Sequence, residues 1–358
     1  MRLLLHVGHG KTGSSFLQSW LALNADGVWR ANRLLYPEKC PLRGVVDQRA
    51  RQGLFSMGNG FVLEEGLKRC ETPAQRLRWL KKLLLSNINE SELVSGLVFS
   101  SEPWVRRIPE QLDGLLAIAD AWEIESIELW LLVRDPLDHA CSVYGQMVKR
   151  HGFTGSLDDW LEIYDFPGIL LHFLEVLEGR NDRFVLSSDH YGRHRKEILP
   201  LMQSWLGLDS SIAWRHPNNL SVNRSLTNDE LLLMRWLNQR FGEKASSIGE
   251  RLVNHLPGLT ATKFRVDSAT KKIFQNRWSK TIDSINLYLP MSEQLTFDNH
   301  DFTFESGTTK DENNTTINLL PEQLDCVLDG TRGIDSYREF SEGGRLERVF
   351  SSFRKAWG

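Results

Sequence analysis

The residues best suited to binding or catalysis follow a short apolar segment at the start of the chain. Residues 3–7 are apolar, and residues 8–13 (GHGKTG) then bring three glycines and a lysine. Ser14 and Ser15 come next, and apolar residues at helical spacing follow them. A lysine, a run of hydroxyls and several backbone N–H groups would therefore stand at the N-terminus of a helix. This arrangement predicts an anion-binding site.

The glycine loop also matches other patterns in part. Residues 8–13 fit the G-x-G-x-x-G of dinucleotide-binding folds, with Glu38 where a ribose-binding acid would stand, but Lys11 occupies a turn that usually carries small residues. Gly10-Lys11-Thr12 is also the end of a Walker A sequence, whose first glycine would fall at Leu5. A plain strand-to-helix turn with serine caps is the structural alternative, and it leaves the lysine and the glycines unexplained.

A second candidate site follows the most apolar segment of the chain. Ile127–Val133 predicts a buried strand, and Arg134 comes directly after it. Asp135-Pro136 predicts a helix start, because Asp caps well and Pro is favoured at the first helical position. Those preferences do not account for an arginine at the end of a buried strand, where its charge must be exposed or paired. Ligands of parallel sheets bind at such strand ends, and the guanidinium fork suits phosphate.

Together, the two segments resemble the nucleotide-binding motifs of sulfotransferases that use 3′-phosphoadenylyl sulfate (PAPS). The segment HVGHGKTGSSFLQ is similar to the 5′-phosphosulfate loop of the bacterial members, Lys-Thr-Gly-Thr-Thr-x-Leu-Gln, with Ser14 and Ser15 in place of the two threonines. The predicted strand, Arg134-Asp135-Pro136 and a serine eight residues after the arginine are similar to the 3′-phosphate motif of the family. The resemblance is specific at these two motifs and diffuse over the rest of residues 1–290.

The resemblance implies a role for each matched residue. Lys11 would contact the bridging oxygen of the phosphosulfate and serve catalysis, whereas Arg134 and Ser142 would bind the 3′-phosphate. Phe16 stands where cytosolic members carry a tryptophan that stacks on the adenine, and its position suits the core of the first helix equally well. The remaining residues of the loop would hold the 5′-phosphate: Thr12, Gly13, Ser14 and Ser15.

These roles imply transfer of a sulfuryl group from PAPS to a hydroxyl or amine, with release of adenosine 3′,5′-bisphosphate (PAP). The acceptor must lose a proton, so a base is needed. Glu102 follows the apolar segment Gly96–Ser100, in the region that lines the acceptor side of the cleft in the family. His9, inside the loop, is the alternative base, and a solvent-exposed helix start is the structural alternative for Glu102. Carbohydrates, lipids and small molecules all remain candidate acceptors.

A P-loop nucleotide kinase and a non-catalytic binding protein of the same fold are the alternatives to an active sulfotransferase. A kinase would need the missing glycine and an acidic Mg²⁺ ligand. A dinucleotide-binding dehydrogenase would give Arg134 and Ser142 no task. For sulfuryl transfer, a lysine and backbone donors are expected to suffice, so the sequence predicts PAPS as co-substrate and no metal.

The elements that position these residues alternate between strands and helices, which is typical of a mostly parallel sheet covered on both faces. The expected fold class is therefore α/β, a parallel β-sheet flanked by helices on both faces, as in the P-loop NTPase-like sulfotransferase fold, with a C-terminal tail. Strands are predicted at residues 3–7, 34–36, 96–100, 127–133 and 183–187. Helices are predicted at residues 15–24, 73–86, 112–122, 136–150, 196–206 and 229–241.

Composition points to an ordinary globular protein without a nucleic-acid partner. The chain has 358 residues and a net charge of −3, far from the basic footprint of nucleic-acid binders. Its four cysteines lack paired spacing, which favours a reducing compartment over a disulfide scaffold. The first apolar run is short for a signal peptide, and no apolar stretch reaches the roughly 20 residues of a membrane span. A cytoplasmic location is expected.

The expected organisation is one sulfotransferase-like domain over residues 1–297, a polar linker over 298–318 and a tail over 319–358. The linker prediction rests on the polar run at residues 311–316 (DENNTT). Neither a role for the tail nor an oligomeric state follows from the pattern.

Overall fold

A computed structural model describes most of the chain, and the chain divides into two compact units. The first comprises Met1–His139, Tyr164–Val222 and Ser268–Asn299, and the second comprises Ala140–Ile163, Asn223–Asp267 and His300–Gly358. The predicted linker and residues 333–358 of the tail lie outside the described residues, so the predicted domain limits stay a prediction. The structure describes residues 1–45, 50–52, 56, 58–88, 93–180, 182–209, 211–217, 224–256, 258–261, 264, 266–297 and 319–332.

The first unit is built on a parallel sheet of five strands. The strands in the described residues are β1 (Arg2–Gly8), β2 (Leu34–Leu35), β3 (Lys39–Cys40), β4 (Gly44–Val45), β5 (Gly96–Ser100), β6 (Ile127–Val133) and β7 (Phe184–His190). The order in the sheet is β2-β5-β1-β6-β7, and β3 and β4 form a separate short antiparallel pair. The predicted strands at Gly96–Ser100 and Ile127–Val133 are confirmed with the same limits.

Helices connect the strands and account for most of the other described residues. None of those in the described ranges has the length and apolar character that crossing a bilayer requires. They are α1 (Ser14–Leu23), α2 (Ala25–Asn32), α3 (Gly60–Arg69), α4 (Pro73–Asn87), α5 (Trp104–Ala121), α6 (Pro136–Arg150), α7 (Leu157–Ile163), α8 (Phe166–Glu178), α9 (Tyr191–His194), α10 (Ile198–Trp205), α11 (Asn228–Phe241), α12 (Ser246–His255), α13 (Ser268–Asn286) and α14 (Pro321–Arg332).

The apolar strands of the sheet bury side chains on both faces. Because successive side chains of a strand point to opposite faces, Leu3 and Leu5 enter one core cluster and Leu4 enters another. Side chains of α3, α4, α5, α8 and α13 complete the first cluster, and those of α1, α2 and α10 complete the second. The predicted α/β class, a parallel sheet flanked by helices on both faces, is confirmed.

Helix α5 begins earlier than its sequence pattern predicts. The pattern indicates residues 112–122, whereas the helix runs from Trp104 and carries Pro109 inside it. Gln111, two residues beyond the proline, has the non-helical angles φ −121° and ψ 18°. A proline inside a helix removes a hydrogen bond and kinks the chain, so the local pattern restarts after it.

The second unit is helical, with its own core of side chains from α6, α11, α12 and α14. An ion pair lies inside this unit: Arg224 Nη1 is 2.7 Å from Glu230 Oε2, and the two side chains are 3% and 0% exposed. Gln323 of α14 donates from Nε2 to Glu230 Oε1 at 2.8 Å. Val327 of α14 is fully buried in the same core. The first helix of the predicted tail therefore belongs to the packing of this unit.

Candidate anion-binding site

The order of the strands brings the glycine loop, Glu102 and Arg134 to one edge of the sheet. β1 lies between β5 and β6, and all three run in the same direction. The loop after β1 is therefore flanked by the residues that follow β5, including Glu102, and by Arg134, which follows β6. β5 and β2 lie on one side of β1, and β6 and β7 lie on the other. Such a reversal of strand order opens a crevice where α/β proteins bind ligands.

The loop turns sharply before α1. Lys11 and Gly13 have φ angles of 67° and 79°, in the left-handed region. Gly13 suits this conformation, and a Cβ there would lie only 3.0 Å from Tyr191 Cε2. For a residue with a side chain the left-handed region costs about 1–2 kcal/mol, so Lys11 must be held by its surroundings. Backbone of this kind, at the start of a helix, commonly forms an anion-binding concavity.

The N-terminus of α1 is oriented for an anion. Gly13 at the N-cap provides no side-chain cap, so the first N–H groups of the helix keep their partial positive charge without a side-chain acceptor at this position. Ser14 is buried and Ser15 is half-buried. Thr12 is buried as well, and its hydroxyl donates to His9 O at 2.6 Å. The Thr12 hydroxyl proton is thus used in a hydrogen bond within the loop.

Phe16, on the first turn of α1, is half-buried and packs against the second core cluster. A core position for this ring is consistent with that packing. Its predicted stacking on an adenine stays a prediction.

Arg134 is tied to the loop. Its Nη1 donates to Lys11 O at 2.9 Å, and its Cζ lies 5.6 Å from the centre of the Tyr191 ring. The guanidinium carries several N–H donors, and this bond uses one of them. Ser142 lies half-buried on α6, in the range assigned to the second unit, and its predicted contact with a 3′-phosphate stays a prediction.

Glu102 lies beside the loop from the other flank. A Cβ built on Gly10 would stand 3.2 Å from Glu102 Oε2, which is tighter than an ordinary contact. The carboxylate therefore occupies the space that a side chain at position 10 would need. Glu102 is half-buried, so the group is placed both to meet the loop and to meet solvent.

His9, the alternative base, lies inside the protein. Its side chain belongs to a residue that is 2% exposed, with the ring centre 4.4 Å from Phe166 and 4.5 Å from His139. Burial lowers the pKa of His9 well below its ordinary value, and the Arg134 charge lowers it further. The His9 ring is thus enclosed, whereas Glu102 is half-buried, and the choice between them as the base stays a prediction.

Three residues of the site were missed by sequence reasoning: His139, Tyr164 and Tyr191. His139 Nε2 lies 3.0 Å from Gly10 O, and its Nδ1 lies 2.6 Å from the Tyr164 hydroxyl oxygen. Tyr191 follows β7, which extends to His190, beyond the predicted end at residue 187. The last residues of that strand are polar, so an apolar pattern does not show where the strand ends. For His139, only the position of its helix next to the loop reveals the contact.

Within the described part of the chain, one group of side chains has the spacing of metal ligands. Asp189, His194 and Glu293 offer ligand atoms within 4.8 Å of one another. Asp189 Oδ2 accepts a hydrogen bond from Trp130 Nε1 at 2.6 Å, and Glu293 Oε2 accepts one from the His190 N–H at 2.6 Å. His194 Nε2 is 3.2 Å from Glu293 Oε2. Each of these three side chains already has a hydrogen-bond partner within the protein, and we assign no metal to them.

Comparisons with known proteins return solved structures only. No protein-family model matches the chain. No curated protein matches it either. A sulfotransferase from Alicyclobacillus acidocaldarius is 11% identical, with a TM-score of 0.40, over 82% of this chain and 98% of that one. The mouse sulfotransferase SULT7A1, solved in complex with PAP, is 13% identical, with a TM-score of 0.32, over 95% of this chain and 88% of that one.

A sulfotransferase domain from the curacin biosynthetic pathway is also similar, at 13% identity and a TM-score of 0.33, over 78% of this chain and 98% of that one. Similarities at this level do not establish a family. The function has to follow from the residues of the site.

Proposed function

We propose that the protein is a PAPS-dependent sulfotransferase that moves a sulfuryl group to a hydroxyl or amine of an acceptor and releases PAP. The observation that carries the proposal is the loop after β1. Its left-handed Lys11 and Gly13 precede an uncapped helix N-terminus, with Glu102 on one flank and Arg134 on the other. A cation, backbone donors and a helix dipole fit a phosphosulfate, and a nearby carboxylate fits the proton transfer.

In this proposal the donor is held at both ends. Lys11 contacts the bridging oxygen, and Arg134 and Ser142 bind the 3′-phosphate that distinguishes PAPS from simpler nucleotides. Phe16 stacks on the adenine. The 5′-phosphate is held by the loop and the first turn of α1: Thr12, Gly13, Ser14 and Ser15.

The chemical step needs one base and one cation. The acceptor O–H or N–H gives its proton to the Glu102 carboxylate as the acceptor atom bonds to sulfur. The bond between sulfur and the 5′-phosphate oxygen breaks, and its electron pair stays on that oxygen. The Lys11 ammonium stabilises the charge that develops there. The products are the sulfated acceptor and PAP, with the proton on Glu102.

Ligand-induced thermal stabilisation tests the donor assignment. PAP is expected to raise the melting temperature clearly more than AMP does, because only PAP carries the 3′-phosphate. In Arg134→Ala this difference between PAP and AMP is expected to be mostly lost. The shift with AMP is also expected to fall, since Arg134 holds the Lys11 carbonyl.

Arg30→Ala is the matched control, because Arg30 is an exposed arginine on α2 in the same unit. It is expected to keep the wild-type response to both nucleotides. Equal stabilisation of the wild-type protein by AMP and PAP would refute the 3′-phosphate site.

Metal independence separates the proposal from a nucleotide kinase. The affinity for PAP, measured by calorimetry, is expected to be nearly the same in EDTA and in Mg²⁺, because the loop supplies a lysine and backbone donors for the anion. ATP with Mg²⁺ is expected to bind more weakly than PAP. A strict Mg²⁺ requirement would favour the kinase instead.

A further inference from the structure

Three consecutive carbonyl groups of the loop are each held by a side chain. Thr12 Oγ1 donates to His9 O at 2.6 Å, and Arg134 Nη1 donates to Lys11 O at 2.9 Å. Between them, His139 Nε2 lies 3.0 Å from Gly10 O. All of these residues belong to the first unit.

Holding a carbonyl also sets the direction of the next N–H group. A peptide unit is planar and trans, so its C=O and N–H point in opposite directions. The three bonds therefore turn the N–H groups of Gly10, Lys11 and Thr12 away from the side chains that hold the carbonyls. In an anion-binding concavity, successive N–H groups rather than carbonyl oxygens face the anion.

The middle carbonyl depends on a buried pair, His139 and Tyr164, which are 2% and 3% exposed. Gly10 O can only accept, so the hydrogen must lie on His139 Nε2. His139 Nδ1 then accepts, and the Tyr164 hydroxyl, 2.6 Å away, donates to it. Burial, followed by the charge of Arg134, lowers the pKa of His139 to about 3, so the ring is neutral and keeps this single tautomer at neutral pH.

The peptide between Gly10 and Lys11 needs such a hold. Glycine has no Cβ and turns easily, and Lys11 already has a left-handed conformation that other residues avoid. A flip of this peptide would present a carbonyl oxygen, instead of an N–H group, to a bound anion. The interaction would then change from attraction to repulsion.

We propose that His139 and Tyr164 are positioning residues that hold the Gly10 carbonyl and so direct the Lys11 N–H group towards the 5′-phosphate of the nucleotide. The inference rests on the proposed function and deepens it. Arg134 and Thr12 hold the neighbouring carbonyls, and this pair holds the one of Gly10.

Two nucleotides that differ only in the 5′-phosphate test the inference. PAP carries that group and 3′-AMP lacks it, so the ratio of their dissociation constants reports the loop alone. In His139→Leu, the affinity for PAP is expected to fall about 10-fold, the upper range for a lost hydrogen bond, with little change for 3′-AMP. In His139→Gln, whose side-chain amide can donate, most of the loss is expected to be recovered. Tyr164→Phe is expected to lose about 3-fold for PAP only.

The possible outcomes are distinct. If His139→Leu leaves the ratio of the PAP and 3′-AMP dissociation constants at its wild-type value, the positioning role is wrong while the donor site stands. If the wild-type protein does not prefer PAP to 3′-AMP, the proposed function fails and the inference fails with it. Should His139→Leu not fold, Tyr164→Phe and His139→Gln carry the same comparison. The inference is then overturned if Tyr164→Phe keeps the wild-type ratio of the two dissociation constants and His139→Gln loses affinity equally for both nucleotides.

Discussion

Glu102→Gln is expected to lower the rate of sulfuryl transfer by about 10²–10⁴-fold, the usual cost of losing a general base. The substitution keeps the shape and polarity of a side chain that lies beside Gly10 but removes its ability to accept the acceptor proton. The affinity for PAP is expected to stay near the wild-type value, because the proposed role of the carboxylate concerns the acceptor rather than the nucleotide. Turnover of PAPS with an acceptor, or its slow hydrolysis without one, measures the rate, and calorimetry measures the affinity.

Two further variants sharpen this test. Glu110→Gln changes an exposed carboxylate on α5 and is expected to match the wild type in both measurements. Lys11→Ala is expected to weaken both PAP binding and turnover, since the proposed role of the ammonium is to contact the donor. Wild-type turnover in Glu102→Gln would place the base elsewhere, and His9→Asn would then be the next variant.

Arg224→Met is expected to lower the free energy of unfolding of the second unit by about 3–5 kcal/mol. Arg224 donates to both carboxylate oxygens of Glu230 at 2.7 and 2.8 Å, and Glu230 is fully buried. Burial alone would raise the pKa of the Glu230 carboxyl, but hydrogen bonds from Arg224, Thr227 and Gln323 outweigh it and lower the pKa. Without the guanidinium, a buried carboxylate loses its main counter-charge. Hydrogen exchange of α11 and α12 measures the change.

The pH dependence of this effect has a defined sign. A carboxyl whose folded-state pKa is lowered stabilises the fold above its unfolded pKa, and the stabilisation is lost as the pH falls through the folded value. The difference between wild type and Arg224→Met is therefore expected to shrink in acid.

Arg251→Met, at an exposed arginine of α12, is the control and is expected to change stability by no more than about 0.5 kcal/mol. Replacing both partners, in Arg224→Met with Glu230→Leu, is expected to recover part of the loss. A loss in Arg224→Met no larger than that in Arg251→Met would contradict the role of the ion pair.

Several features of the fold were determined by the sequence alone, because their causes are local. The strand at Ile127–Val133 is a continuous apolar run, and α6 starts at Pro136, as the Asp-Pro pair predicts. The glycine loop and its lysine lie between a strand and a helix, as their spacing predicts. Each of these features depends on residues that are neighbours in the chain, and propensity and periodicity act at that range.

Other elements were missed, or predicted only in part, because their local pattern is weak. The 19-residue helix α13 buries Phe274, Ile282 and Ile285 and leaves most of its surface to polar residues, so it has no continuous apolar stripe. In α5 the proline interrupts the pattern near its start. Such helices are stabilised mainly by the surfaces on which they pack, and no single stretch of sequence contains those surfaces.

The arrangement of the site was decided by the tertiary structure. The order of the strands, with β1 between β5 and β6, brings Glu102 and Arg134 to opposite flanks of one loop. Arg134 meets a carbonyl 123 residues away, and His139 meets one 129 residues away. Strand order and buried hydrogen bonds result from how whole elements pack together. The sequence therefore predicts candidate residues for the chemistry, and only the packing of whole elements determines which side chains hold the loop in place.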